Sequence, residues 1–334
     1  MNELHAFLVT AWFVLLGLII VLYVVLDGFD LGIGMLSLLE PQLELRRRML
    51  LPISGVWDAN ETWLVLAGGV LFGAFPLGYA LILSQLYVPV LLLLVGLILR
   101  GVGLEYSHHA EHPRWWLRLF GVGSVLATLA QGLLLGGILN GLPATGASTA
   151  GFIANWLNPF TLLVTVGVVL GYALLGATFL LQRCSDGRVQ AQARRWGRLA
   201  ASGMLLALAA VAVWTPLLHP PMAQRWATPP TLMVMTGVLL SGSIAGVGLF
   251  QSLRVRDYGS PFLWGLLVFV LAFIGLAVSL YPELVPGRLS LEQAAASNQT
   301  LLFMIVGIGT LMPLMLAYNG FQYLVFSKTD QTQE

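Results

Sequence analysis

Nine apolar runs, each long enough to cross a lipid bilayer, occupy most of the chain, at about 7–36, 62–83, 86–105, 118–139, 160–182, 199–218, 231–252, 262–281 and 300–326. A bilayer core takes roughly 20 apolar residues per helix, and inside it every backbone polar group must be paired within a helix or around a closed barrel. A membrane barrel alternates polar and apolar residues along strands of about ten. A run such as Leu91 to Leu99 does not alternate. The runs therefore predict an all-α integral membrane protein with nine transmembrane helices. Composition agrees, since 58% of the residues are hydrophobic and only 9% are charged, where soluble domains carry about 25% charged residues.

Charge placement sets the orientation. Short cytoplasmic loops collect Lys and Arg, and threading the nine runs alternately leaves all but Arg225 and Arg288 of the 16 Lys and Arg on one side. The N-terminus is then outside and the C-terminus cytoplasmic; a miscount of one span would scramble this segregation. The first run starts near Phe7 without the basic residues or the small-residue cleavage site of a secretory signal, so it is expected to be a permanent span. A net charge of +1 with no clustered basic face gives no case for a nucleic-acid partner. Cys184, the single cysteine, excludes a disulfide framework, a cysteine zinc site and a cysteine-ligated iron–sulfur cluster. The outer loops, Leu142 to Asn158 and His219 to Pro230, are short and hold no inserted water-soluble domain. The chain divides naturally at 141–159, which predicts one polytopic membrane domain built from a four-helix bundle (1–140), a second four-helix bundle (141–282) and a peripheral ninth helix with its tail (283–334).

Ionisable residues near the hydrocarbon are costly, and so they carry the functional signal. The first cluster is Asp27-Gly28-Phe29-Asp30-Leu31-Gly32-Ile33-Gly34. Asp27 and Asp30 share a helix face, and Gly28 and Gly32 leave a flat strip that another backbone can approach. Asp27 lies about 30 Å along a helix that enters near Phe7, toward the cytoplasmic edge. The second cluster is Gly55-Val56-Trp57-Asp58-Ala59-Asn60-Glu61-Thr62-Trp63. Asp58 with Glu61 reads either as a capping box inside an interfacial tryptophan belt, or as two acids on one face of a helix that begins at Pro52. On both readings two acidic clusters on adjacent spans meet at the cytoplasmic side, where buried carboxylates can exchange protons near neutrality. Arg100, at the end of the third run, either snorkels to lipid phosphates, the commoner case, or pairs a buried acid or a cofactor's propionate. The tract Ser107 to His112 has the composition of a metal site but the setting of a solvated loop. His5 and His219 fall near the outer surface, so no histidine lies at the middle of a span. Histidine is the usual axial ligand of membrane haem, which assigns any haem to another chain.

The strings DGFDLGIG at 27–34, GVWDANETW at 55–63 and LRGVGLEY at 99–106, with a Gly-rich second run ending near Phe75-Pro76, resemble subunit II of the cytochrome bd family of quinol oxidases. The resemblance covers the whole chain, and the compact loops are nearer the cyanide-insensitive branch. It implies a bacterial inner-membrane complex that oxidises quinol and reduces dioxygen to water. It implies a partner, subunit I, that carries the quinol site and the haems, haem b with haem d or haem b alone. This chain would ligate no haem or metal, and lipid, quinone and small single-helix accessory subunits are further candidate partners. Carried over by position, Asp58 is implied in proton uptake, with Trp57 and Asn60 shaping its surroundings. Asp27 and Asp30 match the family's first-helix acids and are implied in the same route or its support, and Glu61 is placed on that path with them. Arg100 matches a basic residue that neutralises acids at the subunit interface, and Glu105 matches an acidic position. Ser107 departs from the pattern, standing where relatives carry a basic residue. Because the centres of the later helices hold no ionisable residue, a half-channel that hands protons sideways to the partner is expected rather than a full relay. Asp58→Asn is then expected to leave assembly largely intact and to slow oxygen consumption measured at an oxygen electrode. The alternative from another class is a secondary transporter using the acids of helices 1 and 2; its sites lie near the midplane, where only Ser241, Gly242 and Ser243 offer polarity. A purely structural scaffold predicts that the acids can be neutralised without loss of activity.

Overall fold

The structure, a computed structural model, describes residues 3–107, 109–142, 153, 156–255 and 257–329. His108, most of the 142–158 loop, Arg256 and the extreme C-terminal tail lie outside the described residues. The long helices are α1 (Glu3–Ser37), α3 (Trp57–Ala74), α5 (Tyr87–Ser107), α6 (Pro113–Asn140), α7 (Pro159–Arg183), α8 (Gly187–Leu218), α10 (Pro229–Arg254), α11 (Ser260–Leu280) and α13 (Asn298–Thr329). Shorter helices are α2 (Leu43–Leu50), α4 (Pro76–Gln85), α9 (Pro220–Trp226) and α12 (Leu291–Ala294). Among the described residues eight helices are long and apolar enough to span a membrane, and the bent pair α3 and α4 makes nine if it counts as one crossing.

Two expectations are corrected and one is refined. The run at 62–83 is not one straight span: α3 and α4 meet at an angle of 118°. Pro76 lacks an N–H and its ring forces Phe75 out of helical geometry, to φ −131° and ψ 61°, so the helix stops and restarts with Pro76 in its first turn. The exposed end of α3 is completed from far along the chain, where the Ala296 N–H donates to the Ala74 carbonyl at 2.9 Å. Second, the all-α class holds with one small addition. Glu283–Val285 (β1) and Leu289–Ser290 (β2) form a small antiparallel hairpin before α12. Third, neither reading of residues 52–61 holds. Pro52 sits in a short 3-10 turn, Leu51–Ile53, and α3 starts separately at Trp57 behind an uncapped Val56. Asp58 is therefore a first-turn residue of α3, where a negative charge suits the helix dipole.

The core is organised by α1 and α7. Every residue of α1 from Asp27 to Ser37 is buried, the reverse of a helix leaving the membrane. The glycine strip explains how: a Cβ on Gly32 would overlap the Tyr172 carbonyl oxygen, and one on Gly176 would lie 2.5 Å from the Gly32 carbonyl carbon, so the two backbones touch. Such contact replaces side-chain packing with direct backbone dispersion, the usual device between membrane helices. α7 also packs on α6, α8 and α11, while α13 rests on α1 and α3 with most of its surface exposed.

Loop-side ties hold the ends. Arg48 pairs Asp186 at 2.7 Å, and Asp186 caps α8 by accepting from the Arg188 and Val189 N–H groups. Slight desolvation raises the Asp186 pKa, but those N–H groups and Arg48 outweigh it and leave the carboxyl below its usual range. This tie therefore stabilises above the ordinary carboxylate range and weakens as pH falls through the depressed value. Arg194 of α8 closes α10: its guanidinium donates to the carbonyls of Val255 at 2.5 Å, Asp257 at 3.0 Å and Leu253 at 3.3 Å. These carbonyls lie at and just beyond the C-terminal end of α10, where a cation suits the helix dipole. Arg194→Met is expected to cost about 2 kcal/mol, the range for hydrogen bonds to charged groups, read as a lower thermal midpoint of the purified protein with unchanged helix content.

Candidate functional site

Three helices bring the charged residues together. α1 supplies Asp27 and Asp30, α3 supplies Asn60 and Glu61, and α5 supplies Arg100. Close approach sets the position of Arg100, because a Cβ on Gly123 of α6 would lie 2.5 Å from the Arg100 nitrogen, so α5 lies against α6 at this residue. Arg100 does not snorkel. α5 continues two turns past it, and its side chain, like those of Asp27 and Asp30, is fully buried. Arg100 Nη2 lies 2.5 Å from Asp27 Oδ1 and 3.9 Å from Asp30 Oδ2 within this chain. The Trp57 ring covers its guanidinium, with Cζ 5.8 Å from the ring centre.

Asn60 Nδ2 donates to Asp30 Oδ2 at 2.9 Å, and the Tyr323 hydroxyl of α13 donates to Asn60 Oδ1 at 3.0 Å. Asn60 thus joins the ninth span to the first. Glu61 is half-buried and interacts electrostatically with Arg100, Asp27 and Asp58. Asp58 itself is exposed, one turn before Glu61 on α3, and Glu105 is exposed on α5. The arrangement therefore runs from exposed Asp58 through half-buried Glu61 to the buried pair. Two carboxylates share one guanidinium, and an uncompensated buried charge costs several kcal/mol. The cluster is electrically balanced when it also holds one proton. Asp27 Oδ2, Asp30 Oδ1 and Arg100 Nε and Nη1 are buried without a hydrogen-bond partner among the described residues, leaving free donor and acceptor positions beside the ion pair.

Four polar members of this cluster escaped the sequence reading. Gln131 of α6 donates through Nε2 to the Tyr23 hydroxyl at 2.7 Å, and the Tyr172 hydroxyl of α7 donates to Gln131 Oε1 at 2.6 Å. Tyr23 lies one turn before Asp27 on α1 and interacts with its carboxylate; Tyr323 is the fourth. The statement that only Ser241 to Ser243 offer midspan polarity is thus corrected, because Tyr172 stands at the centre of α7 and Gln131 lies well inside α6. A lone amide in a long apolar helix was the available signal for Gln131. Ser243 spends its hydroxyl on its own helix, donating to the Leu239 carbonyl. In the 107–112 tract, His109 and His112 are exposed. Among the described residues no group of three or more His, Cys, Asp and Glu is placed to hold a metal ion.

The chain is 34% identical over 215 residues to cytochrome bd-I ubiquinol oxidase subunit 2 of Escherichia coli, a match covering 61% of this chain and 56% of that one. The chain thus spans little more than half the length of this curated relative. It is 27% identical over 330 residues to cytochrome bd ubiquinol oxidase subunit 2 of Bacillus subtilis, covering 95% of both chains. The fold superposes on a chain of the bd oxidase from Geobacillus thermodenitrificans with a TM-score of 0.78 at 22% identity, over 95% of this chain and 98% of that one. None of these matches supports the transporter alternative. Residues 8–326 match the family profile of cytochrome bd terminal oxidase subunit II, and the chain belongs to that family.

Proposed function

We propose that the chain is the haem-free subunit II of a quinol:oxygen oxidoreductase in the bacterial inner membrane, and that its buried acids form the cytoplasmic half-channel for the protons consumed in making water. The observation that carries the second part is the fully buried Asp27, Arg100 and Asp30 group, reached from the exposed end of α3 through Glu61. The name of the relatives, ubiquinol oxidase subunit 2, supports the first. On this reading a haem-bearing subunit I is the partner, and its haems, with the quinol it oxidises, supply the electron chemistry. Lipid, quinone and small single-helix subunits are further candidate partners. The division into helices one to four (1–140), five to eight (141–282) and a ninth (283–334) is part of the same proposal.

The roles follow from placement. Asp58 and Glu61 take protons from the cytoplasmic side, since like-charged neighbours at one helix end attract them. Asp30, bonded to Asn60, and Asp27, held on Arg100, form the buried store. Arg100 offsets one of the two negative charges, so the store holds one proton at balance and passes it on when charge develops in the partner. Quinol protons released outside and chemical protons taken from inside then separate charge without a pump.

A tagged chain purified in mild detergent is expected to bring a second polypeptide with haem bands in the reduced-minus-oxidised spectrum. A colourless, stable, solitary protein contradicts the proposal. Asp30→Asn and Glu61→Gln are expected to leave that spectrum intact and to lower quinol-driven oxygen consumption at least tenfold. Full turnover in both removes them from the path.

A further inference from the structure

Asn60 has two chemically different ends, and each meets a different helix. A charged Asp30 can only accept, so the amide end facing it has to be the NH2 group, and Nδ2 does donate to Asp30 Oδ2 at 2.9 Å. The other end, Oδ1, is then an acceptor in a fully buried position and needs a donor. The Asn60 main chain is already committed, its N–H donating to the Val56 carbonyl at 3.2 Å. The donor to Oδ1 comes from the far end of the chain: the Tyr323 hydroxyl of α13, at 3.0 Å.

Tyr323 faces the unusual way for its place in a span. A tyrosine near a helix end ordinarily serves the headgroup layer. Tyr318, on the same helix, is 55% exposed and accepts from Gln322 Nε2 at 2.8 Å. Tyr323 is instead half-buried, with its hydroxyl inside the acid cluster. Two contacts nearer the outside set the height at which it enters. Trp12 Nε1 donates to the Leu301 carbonyl at 3.2 Å, and Met304 packs on Gly73, where a Cβ would lie 2.6 Å from its sulfur. α13, whose surface is otherwise mostly exposed, is thereby held where one side chain reaches Asn60.

Resting on the half-channel reading above, we propose that Tyr323 is a positioning residue of the proton path, its hydroxyl fixing the rotation of the Asn60 amide so that Nδ2 and not Oδ1 faces Asp30. Shape alone does not do this, because the terminal torsion of asparagine is broad and its two ends are nearly the same size. Without the hydroxyl no other group among the described residues donates to Oδ1, and the amide is free to turn its carbonyl to Asp30. That arrangement suits only a protonated acid, so passing the proton on requires the amide to turn back. The groups that act on Asp30 are Arg100 from α5, Asp27 from its own helix, and Asn60 and Glu61 from α3. Asp30, Asp27 and Arg183, at the end of α7, act in turn on Tyr323. Of all these, only Asp30 and Tyr323 hydrogen-bond the Asn60 amide among the described residues. The ninth helix thus takes part in the proton path beyond its packing.

The test is a double-mutant cycle in the intact oxidase. Tyr323→Phe keeps the ring and removes the hydroxyl, and Asn60→Leu keeps the volume and removes the amide. Each is expected to keep the haem spectrum of the complex and to lower turnover about three- to tenfold, the size of one hydrogen bond. Each is also expected to move the alkaline limb of the pH profile of turnover upward. The double variant is expected to show the profile of either single one, because both remove the same donor to Asp30. Tyr318→Phe, which removes a hydroxyl from the exposed face of the same helix, is expected to leave rate and profile unchanged. An unchanged profile in Tyr323→Phe, or shifts that add in the double variant, overturns the proposal and leaves the half-channel standing. Loss of the haem spectrum in either single variant overturns it too, since the bond would then be holding the fold and not the amide. Wild-type turnover in both Asp30→Asn and Glu61→Gln overturns the half-channel itself.

Discussion

Arg100→Leu is expected to abolish accumulation of the protein. The substitution leaves Asp27 and Asp30 in a fully buried site with no other cation paired to them among the described residues. Removing one partner of a buried ion pair costs about 3–5 kcal/mol because the other stays buried and uncompensated, and here two acids share the loss. That is a large part of the stability of a typical domain. Arg100→Lys keeps the charge on a shorter-reaching, more strongly hydrated ammonium that loses the stack under Trp57, and is expected to give intermediate yield. Adding Asp27→Asn and Asp30→Asn to Arg100→Leu should recover much of the yield, because the triple variant buries neutral groups only. Membrane content of the tagged chain measures all three. Normal accumulation of Arg100→Leu means that the acids are not charged in the folded protein, and the electrostatic account of the cluster fails with it.

The second large effect is steric. Gly32→Val is expected to prevent α1 from seating on α7, because even a Cβ would overlap the Tyr172 carbonyl oxygen and lie 2.9 Å from the Gly176 nitrogen. Backbone cannot give way as a flexible side chain can, and overpacking of this kind typically costs about 1–3 kcal/mol or more. The same displacement would pull Asp27 and Asp30 away from Arg100, so assembly and turnover should fall together. Gly237→Val on α10 is the control, since a Cβ there meets open space. Its expected yield in the membrane matches that of the unaltered protein.

The spans were legible because the bilayer imposes a single period and length on apolar sequence, and the apolar runs found in the sequence reappear in the helices. What failed were the places where a local rule met a tertiary partner. Phe75-Pro76 was visible as a helix end, but its sharp return depends on Ala296, some two hundred residues on, completing the Ala74 carbonyl. Asp58 and Glu61 have the spacing of a capping box, yet α3 begins one residue before Asp58, and no spacing rule locates that start. The glycine strip at Gly28 and Gly32 was readable, and its partner, Gly176, was not, because pairing between α1 and α7 is a property of the packed fold.

The candidate site divides in the same way. Asp27 and Asp30 stood out as charges in an apolar run, and their burial accords with that signal. Arg100 looked like a helix-end residue because the apolar run stops beside it, although the helix itself continues. Gln131, Tyr23, Tyr172 and Tyr323 look unremarkable one at a time, since tyrosine in a span passes for an interfacial anchor. Only the contacts among α1, α6, α7, α3 and α13 make them members of one cluster.

Proton uptake is the property that tests the central claim most directly. The oxidase containing this chain, reconstituted in vesicles with a pH indicator on the cytoplasmic side, can be followed through a single reaction with dioxygen, comparing the unaltered protein with Asp30→Asn. The account predicts that electron transfer begins at the normal rate while proton uptake and the voltage it generates slow at least tenfold. Uptake at the unaltered rate in Asp30→Asn, and likewise in Glu61→Gln, would contradict it and place the proton path outside this subunit.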